Sequence, residues 1–576
     1  MEEPLITPRK LILATVPIGF ILLLLIITVP AFGQVANFYV TVPGNGGGTG
    51  LSAANAMSLA TFSGNNSLCG TGANQVGPGT VVHINAQNSG TGTAVFGNSA
   101  SFLNAVCGGS AGARVTYQFQ NGDTFRVNYC NNCINAGNIS HVLFDGGGTG
   151  QSGYALGNPS GMNIQGWLNG SSGGACPGGS CASQAASNAF NFSCATDCEF
   201  RNFQVSDMYD AVVPGDSNGN TSTGSCFSVN GGSHVFIHDN YAHDCGNFAY
   251  DSWNNGDTDV EIYNNFMSQM GWGIGCSGGG GSMTQFMVYN NHFYEFTRWQ
   301  NTPTHQNGIH CFDNSGGGIQ SLYFYNNLMD GGMGSGGWTA WIYLEANGPG
   351  GNWNGGTGVA YLFNNILYAN PCCVNGNGMM NYFSGPGGLV ANNFFYGQYG
   401  GGPCLGWSGT NQTIVNNVFE NCGQAMTAAA FGGNPTPSWT TLDYNIYAND
   451  GGSGNQVWQV NSIGESTLAS WQSACNCDAH SQAQLGSLLS NITSEGVASA
   501  GYIGIGQGTN LTSTSTGLLA ALGYDSGAGD SHTPVQRPGG TCSTLGSSSC
   551  WDVGGYQHGS GAAPPSPPSG LAAIVQ

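Results

Sequence analysis

The sequence predicts an all-β solenoid, a parallel β-helix. Three observations lead there: an Asn-rich phrase that recurs, apolar residues that alternate with period two around it, and an excess of glycine. Glycine supplies 98 of 576 residues, against about 7% in ordinary proteins, and the absence of a G-X-Y period excludes collagen.

The phrase opens at residue 235 and returns as "VFIHDNYA", "VEIYNNFM", "FMVYNNHF", "LYFYNNLM", "AYLFNNIL", "GLVANNFF", "QTIVNNVF" and "TLDYNIYA". The last Asn of each is Asn240, Asn265, Asn291, Asn327, Asn365, Asn393, Asn417 and Asn445, spaced 25, 26, 36, 38, 28, 24 and 28 apart. Periods in this range mark a solenoid, each unit one coil stacked on the last. The units read as strands because their apolar residues alternate and are β-branched or aromatic. In "DVEIYNNF" Val260 and Ile262 face the core while Glu261 and Tyr263 face outward. Coils of about 25 residues with short strands and Gly or Asn turns describe a parallel β-helix, and the longer intervals carry loop insertions. Asn tolerates left-handed backbone angles at a sharp turn, and stacked asparagines can hydrogen-bond from coil to coil, so an Asn ladder is expected at one corner.

A second outward column, His238, Tyr263, Tyr289, Tyr325 and Phe363, stands just before the Asn turn. Its rings are expected to stack between coils; the other reading is a flat surface offered to a glycan.

The start of the chain has a targeting pattern. Arg9 and Lys10 precede "LILATVPIGFILLLLIITVP" and then "AFGQ", so residues 1–33 read as a signal peptide cleaved after Gly33. The run is also long enough to span a bilayer, so a retained N-terminal anchor is the alternative. Both place the remaining chain outside the cytoplasm, and 20 cysteines fit that compartment. "CNNC" (Cys130, Cys133), "CPGGSC" (Cys176, Cys181), "CATDC" (Cys194, Cys198) and the pair Cys542 and Cys550 are close enough for local disulfide loops. Zinc would need a second Cys or His pair beside the first.

Charge narrows the partners. Seven basic and 28 acidic residues give a net charge of −21, and beyond residue 33 the chain keeps five arginines and no lysine. A surface so poor in cations cannot neutralise phosphates, which argues against nucleic acid, and it disfavours polyanionic glycans unless calcium bridges them. No membrane contact is expected unless the N-terminal segment is retained.

The strands preceding the Asn phrases carry the candidate chemistry. Aligning "AYDSW", "GIGCS", "GIHCF" and "WIYLE" puts Asp251, Gly275, His310 and Tyr343 in one outward column, with Trp253, Ser277, Phe312 and Glu345 in the next, and Cys276 and Cys311 inward. In this register Asp251 and His310 lie two coils apart, roughly 10 Å at about 4.8 Å per coil, and Gly275 leaves a gap for a sugar ring. That separation suits an acid and a base acting through one water. Asp251, His310 and Glu345 are therefore candidate catalytic groups, with His305 and Arg298 on an inserted loop able to close over them. Trp253, Phe312 and Tyr343 are candidate substrate platforms. A solvated strand face without function is the competing reading. For calcium, "DSNGNT" offers Asp216, and "NGDTD" offers Asp257 and Asp259 in a loop; turn chemistry explains both without metal.

The Asn-rich coils resemble the right-handed parallel β-helix proteins of the pectate-lyase-like superfamily. The opening "NFYVTVPGNGGGTGLSAANAMSLATF" with "GPGTVVHI" is similar to the N-terminal region of secreted members, and "LASWQSACNCDAHS" with "RPGGTCSTLGSSSCWDVGGYQ" to their closing region. The resemblance spans residues 34–558, with the clear coils at 235–447 and a cap region at about 460–558. It implies a right-handed solenoid acting on polysaccharide. Residues 559–576 fall outside it and read as a Pro-rich tail. Superfamily lyases commonly abstract a proton with Lys or Arg, which leaves Arg201 and Arg298 as candidates without a matching motif, and the Asn-Thr-Asp and Gly-Asp-Asp signatures of the β-helix galacturonases are absent. Two functions follow: a secreted hydrolase or lyase of a neutral or calcium-bridged glycan, or a non-catalytic adhesin or surface β-helix.

Overall fold

In the computed structural model the described residues are 35–99, 101–130, 132–148, 161–166, 188–208, 224–252, 258–277, 283–297, 306–313, 321–333, 340–346, 359–368, 380–383, 387–397, 403–428, 436–450, 457–461, 463–484, 488, 502–504, 507–508 and 553–554. They form a parallel β-helix. The signal segment 1–33, the 559–576 tail and most of 485–558 lie outside the described residues, as do Cys176, Cys181, Cys542 and Cys550.

Most coils contribute three strands, and equivalent strands of successive coils pair in parallel. Sheet I contains Thr258–Tyr263, Thr284–Tyr289, Ser321–Tyr325, Val359–Phe363, Leu389–Ala391, Gln412–Val415 and Trp439–Asp443. Sheet II is thirteen short strands, among them Phe203–Met208, Tyr241–Cys245, Phe266–Ser268, His292–Tyr294, Leu328–Asp330, Ile366–Tyr368, Phe394–Tyr396, Val418–Glu420 and Ile446–Ala448. Sheet III contains Asn247–Ser252, Trp272–Ser277, Asn307–Asp313, Ala340–Ala346, Met380–Phe383, Pro403–Ser408, Gln424–Ala428 and Trp458–Val460. In three N-terminal coils sheets III and I are continuous, through the 14-residue strands Asn132–Asp145, Asn188–Arg201 and Ser225–His238.

The core is the column of inward residues that the alternation selects. Val260, Ile262, Phe286, Val288, Leu322 and Phe324 from sheet I are at most 1% exposed, as are Met267, Phe293 and Met329 from sheet II. Disulfides join Cys69–Cys107, Cys130–Cys133, Cys194–Cys198, Cys276–Cys311, Cys404–Cys422 and Cys475–Cys477. Cys276 and Cys311 tie two sheet III strands inside the core.

At the corner between sheets I and II the two residues of the Asn-Asn pair divide the work. The first takes the left-handed conformation: Asn264, Asn290, Asn326, Asn364, Asn392 and Asn416 have φ between 54° and 59°. The second, wholly buried, makes the bonds. Asn291 Nδ2 donates to Asn327 Oδ1 (3.1 Å) and to Ile262 O of the preceding coil (2.8 Å), while its Oδ1 accepts from Asn265 Nδ2 (3.0 Å) and Asn265 N (3.0 Å). The same pattern runs from Asn240 to Asn445. Asp478 ends it, accepting from Asn445 Nδ2, Trp471 Nε1 and Tyr447 O–H.

One expectation about exposure is corrected and one about packing holds. Glu261 points outward by register yet is fully buried, accepting from Tyr289 O–H at 2.6 Å. The column His238, Tyr263, Tyr289, Tyr325 and Phe363 does stack, with centroids 4.5 to 4.9 Å apart and planes within 6°, but every ring is at most 7% exposed. Rings stacked coil on coil cover one another's faces, so this column packs and presents no flat surface.

At the C-terminal end sheet III is capped, while sheet II adds the parallel strand Gln482–Gln484. After Trp458–Val460 the strand Ile463–Glu465 pairs antiparallel with it, and the helix Leu468–Cys475, capped by Thr467 Oγ1 accepting from Ser470 N, lays the buried Trp471 on the core.

Candidate functional site

The sheet III face does not assemble the expected acid and base. Ala249 pairs with Ile274, so Tyr250 and not Asp251 stands beside Gly275; Asp251 pairs with Cys276, in the column of Cys276, Cys311 and Leu344. A one-residue slip in register moves a strand residue to the opposite face, so the Asp251/His310 pair is withdrawn. The sequence "FAYDSW" allowed the slip because Phe248 and Ala249 are adjacent, both apolar and both buried. Gly275 leaves no gap either, since a methyl group there would come within 2.7 Å of the Tyr250 ring.

His310 and Tyr343 do share the expected column. His310 is packed edge-on against Trp272 (4.4 Å) and Tyr343 (5.2 Å), and the three rings are 3%, 9% and 7% exposed. A polymer cannot rest on rings buried this far. Phe312 pairs with Glu345 in the backbone register, but the side chains of Asp251, Phe312 and Glu345, and all of Trp253, Arg298, His305, Asp257 and Asp216, lie outside the described residues. Asp259 is not a loop ligand: it is a buried strand residue with φ 57°, and His234 Nδ1 lies 2.5 Å from its Oδ2. Among the described residues no group of three or more His, Cys, Asp or Glu is placed to hold a metal ion.

On the outer face of sheet I the N-terminal coils carry an ion network. Arg114 bonds both Asp197 and Glu199; Arg201 bonds Asp145 (3.0 Å) and Glu199 (3.0 Å); His238 bonds Glu199 (3.1 Å) and Asp239 (2.6 Å). Burial opposes every one of these charges, and the partners outweigh it. Glu199 is brought down to about 2 by the hydrogen bond and charge of His238 and then by the two arginines. Arg114 and Arg201 are held more firmly protonated by their carboxylates, and His238 is raised by its bonds to Asp239 and Glu199. Arg201, a candidate base by residue type, is thus paired with two carboxylates in this network.

The network makes stability depend on pH in a defined window. A depressed carboxyl stabilises fully above its ordinary 4.5 and loses that contribution as pH falls toward about 2. A raised imidazole stabilises fully below its ordinary 6.5 and loses that contribution as pH rises through the folded value. The melting temperature is expected to peak between those ordinary values, and Glu199→Gln should flatten the profile; an unchanged profile in the variant would show that the network sets no pH dependence.

Sheet II is different, because its outward column stays half-exposed from His243 to Tyr396, between buried Ser206 and buried Glu420. Ser268 pairs with Tyr294, Tyr294 with Asp330, and Tyr368 with Tyr396, giving one polar or aromatic side chain per coil, none of them fully buried. Asp330 has a buried support: His292, wholly enclosed in the neighbouring column, places Nε2 2.6 Å from Asp330 Oδ1. Tyr294 stands among Asp330, Glu295 and His292, and burial followed by the two carboxylate charges raises its phenol, which keeps the hydroxyl protonated as a donor. Tyr368 is raised by burial, then by Tyr396, Glu420 and Asp330. The Tyr368 and Tyr396 rings stack at 4.6 Å and 13°, so they offer edges and hydroxyls outward.

Toward the N-terminal coils the same column passes through His243, whose Nδ1 lies 2.8 Å from Asp244, is interrupted by buried Ser206, and reaches Gln165, which accepts from Arg126 and donates to Asp207 (3.4 Å). Sequence reading missed this line. Its strands are three residues long and follow the Asn corner, and the signal was the residue at a fixed offset after each phrase: Ser268, Tyr294, Asp330, Tyr368, Tyr396.

No family model matches the chain and no curated protein matches it. A solved structure titled "Rhamnogalacturonan lyase" is similar over 79% of this chain and 90% of that one, at 11% identity and a TM-score of 0.33. A likeness of that depth assigns no residue and no activity.

Proposed function

We propose that the protein is a secreted β-helix that binds and processes a hydroxyl-rich, neutral polysaccharide along the outer face of sheet II. The observation that carries this reading is the half-exposed line Tyr294, Asp330, Tyr368 and Tyr396 backed by buried His292. Phenol and carboxylate edges at about 4.8 Å per coil form a row of donors and acceptors suited to sugar hydroxyls. Asp330 and Glu295 would repel an anionic polymer, and the net charge of −21 acts in the same direction. Asp330 is the acid/base group of the line, oriented by His292 as a second carboxyl or histidine orients a base elsewhere. Hydrolysis is preferred to elimination because, among the described residues, the Arg114 and Arg201 guanidiniums are paired with carboxylates. Secretion is supported by the N-terminal signal pattern and the disulfides.

The test is incubation of the protein with glucans, galactan, arabinan and homogalacturonan, with and without calcium. New reducing ends from a neutral polymer are expected. Unsaturated ends would replace hydrolase by lyase, binding without cleavage would favour the adhesin reading, and neither binding nor cleavage across the panel would sink the proposal.

A further inference from the structure

Two buried cysteines stand outside the disulfides of the solenoid. Cys226 and Cys245 are wholly enclosed and, among the described residues, are the two that carry free thiols. Cys226 is the second residue of the strand Ser225–His238, and Cys245 ends the sheet II strand Tyr241–Cys245 of the same coil. Burial, and then the hydrogen bond and charge of Cys226, push the Cys245 thiol up, so the two sulfurs are neighbours.

Another coil shows what this pair of positions can do. Cys404 is the second residue of the sheet III strand Pro403–Ser408, and Cys422 lies five residues after the ladder residue Asn417, as Cys245 lies five after Asn240. Pro403 pairs with Gln424, two residues beyond Cys422, and Ser225 pairs with Asn247, two beyond Cys245. The local chain agrees: Asp244, Cys245, Gly246 and Asn247 match Asn421, Cys422, Gly423 and Gln424, with φ 56° at Asp244 and 55° at Asn421. Both cysteines set Sγ near the carbonyl two residues back, 3.4 Å from His243 O and 3.7 Å from Glu420 O. Cys404 and Cys422 are bonded, with Cα atoms 5.6 Å apart. In the coil after Cys226 the same two stations hold Phe248 and Met270, both wholly buried, so an apolar filling is all the fold requires there.

We infer that Cys226 and Cys245 are joined by a further disulfide in protein folded under oxidising conditions, the counterpart of Cys404–Cys422. The bond closes one coil on itself, from the entry of sheet III to the exit of sheet II. It ends one residue from Asp244, the partner of His243 on the exposed column. It forms by exchange with an oxidant that is itself a small-molecule or protein disulfide. One thiolate attacks that disulfide and the other displaces it, so two protons and two electrons leave the pair and the oxidant departs as two thiols. The thiolate is the reactive form, and a buried thiol pushed up stays protonated and inert. The bond is therefore made while the coil is still open, and the folded protein keeps the state in which it folded.

The experiment is non-reducing peptide mapping of the full chain, unfolded and alkylated with iodoacetamide before digestion. Export into an oxidising compartment is directed by a heterologous signal, so the result does not depend on how the native chain is targeted. A linked Cys226–Cys245 peptide is expected beside the linked Cys404–Cys422 peptide. Alkylated Cys226 and Cys245 alongside a linked Cys404–Cys422, or a link from either to a different cysteine, would overturn the inference. Absence of both links would remove the template together with the inference.

Cys226→Ala, Cys245→Ala and the double variant give a second readout. Each single change breaks the bond and leaves one thiol that iodoacetamide labels after unfolding. Both should lower the melting temperature of the exported protein, and the double variant should melt no lower than the singles, because the bond is already gone. A double variant that melts clearly below both singles would show two separate contributions and no bond. If no variant folds, the peptide map of the wild type decides alone.

Discussion

Asn291→Ala is expected to lower stability by about 4 kcal/mol, as is the same change at any other interior member of the ladder. The side chain is fully buried and its amide serves three coils at once: it donates to Asn327 and to Ile262 O, and accepts from the side chain and backbone of Asn265. Removing it leaves several donors and acceptors dry, each costing about 1–3 kcal/mol when unsatisfied, with partial relief from relaxation. Asn291→Asp should be at least as damaging, because it loses the donors and buries a charge. Asn290→Ala, one residue earlier, tests the division of labour at the corner. It removes no ladder bond and loses only the fit of Asn to φ 55°, so about 1 kcal/mol is expected. Chemical denaturation of the three variants is the measurement, and equal losses at 290 and 291 would contradict separate roles.

Asp330→Asn is expected to reduce turnover roughly a hundred- to ten-thousand-fold, the range associated with losing a positioned general acid or base. The amide keeps the shape and still accepts from His292, and the side chain is 22% exposed, so stability should shift by less than about 0.5 kcal/mol. His292→Ala acts on the same group indirectly, and its effect should appear as a displaced pH profile with glycan affinity largely kept. Full activity in Asp330→Asn would remove Asp330 from the chemistry, and loss of affinity without loss of turnover would make it a binding group only.

Much of the fold was legible because one phrase fixes both period and phase. "YNNF" gives the inward residue, the left-handed corner and the following short strand in four letters, and every coil from 240 to 445 repeats the arrangement. The candidate site was not legible from the strands that looked richest in chemistry. His310, Asp251 and Glu345 were grouped by aligning isoleucines, an alignment with no anchor at "FAYDSW", where two adjacent apolar residues permit either register. The structure resolves that ambiguity one residue away from the guess, and a period-two pattern turns one residue into the opposite face. Burial was equally hidden: Glu261 and His310 are outward by alternation, yet both are covered. Alternation reports which side of a strand a residue takes; only the packing of distant segments decides whether that side meets water. Sheet II escaped notice because three residues are too few to show a period.

The antiparallel strand Ile463–Glu465 has a consequence beyond finishing the domain. A stack of identical parallel rungs has no inherent length, since the backbone groups that join one coil to the next would equally accept the first coil of another molecule. Exposed strand edges of this kind are templates for fibre growth. Here the final strand of sheet III, Trp458–Val460, meets a partner running the opposite way, and the helix bearing Trp471 follows it over the core. At the sheet III edge a further parallel strand does not find the right direction. The reversed strand therefore blocks edge-to-edge growth along sheet III, through a handful of residues that refuse to stack in parallel.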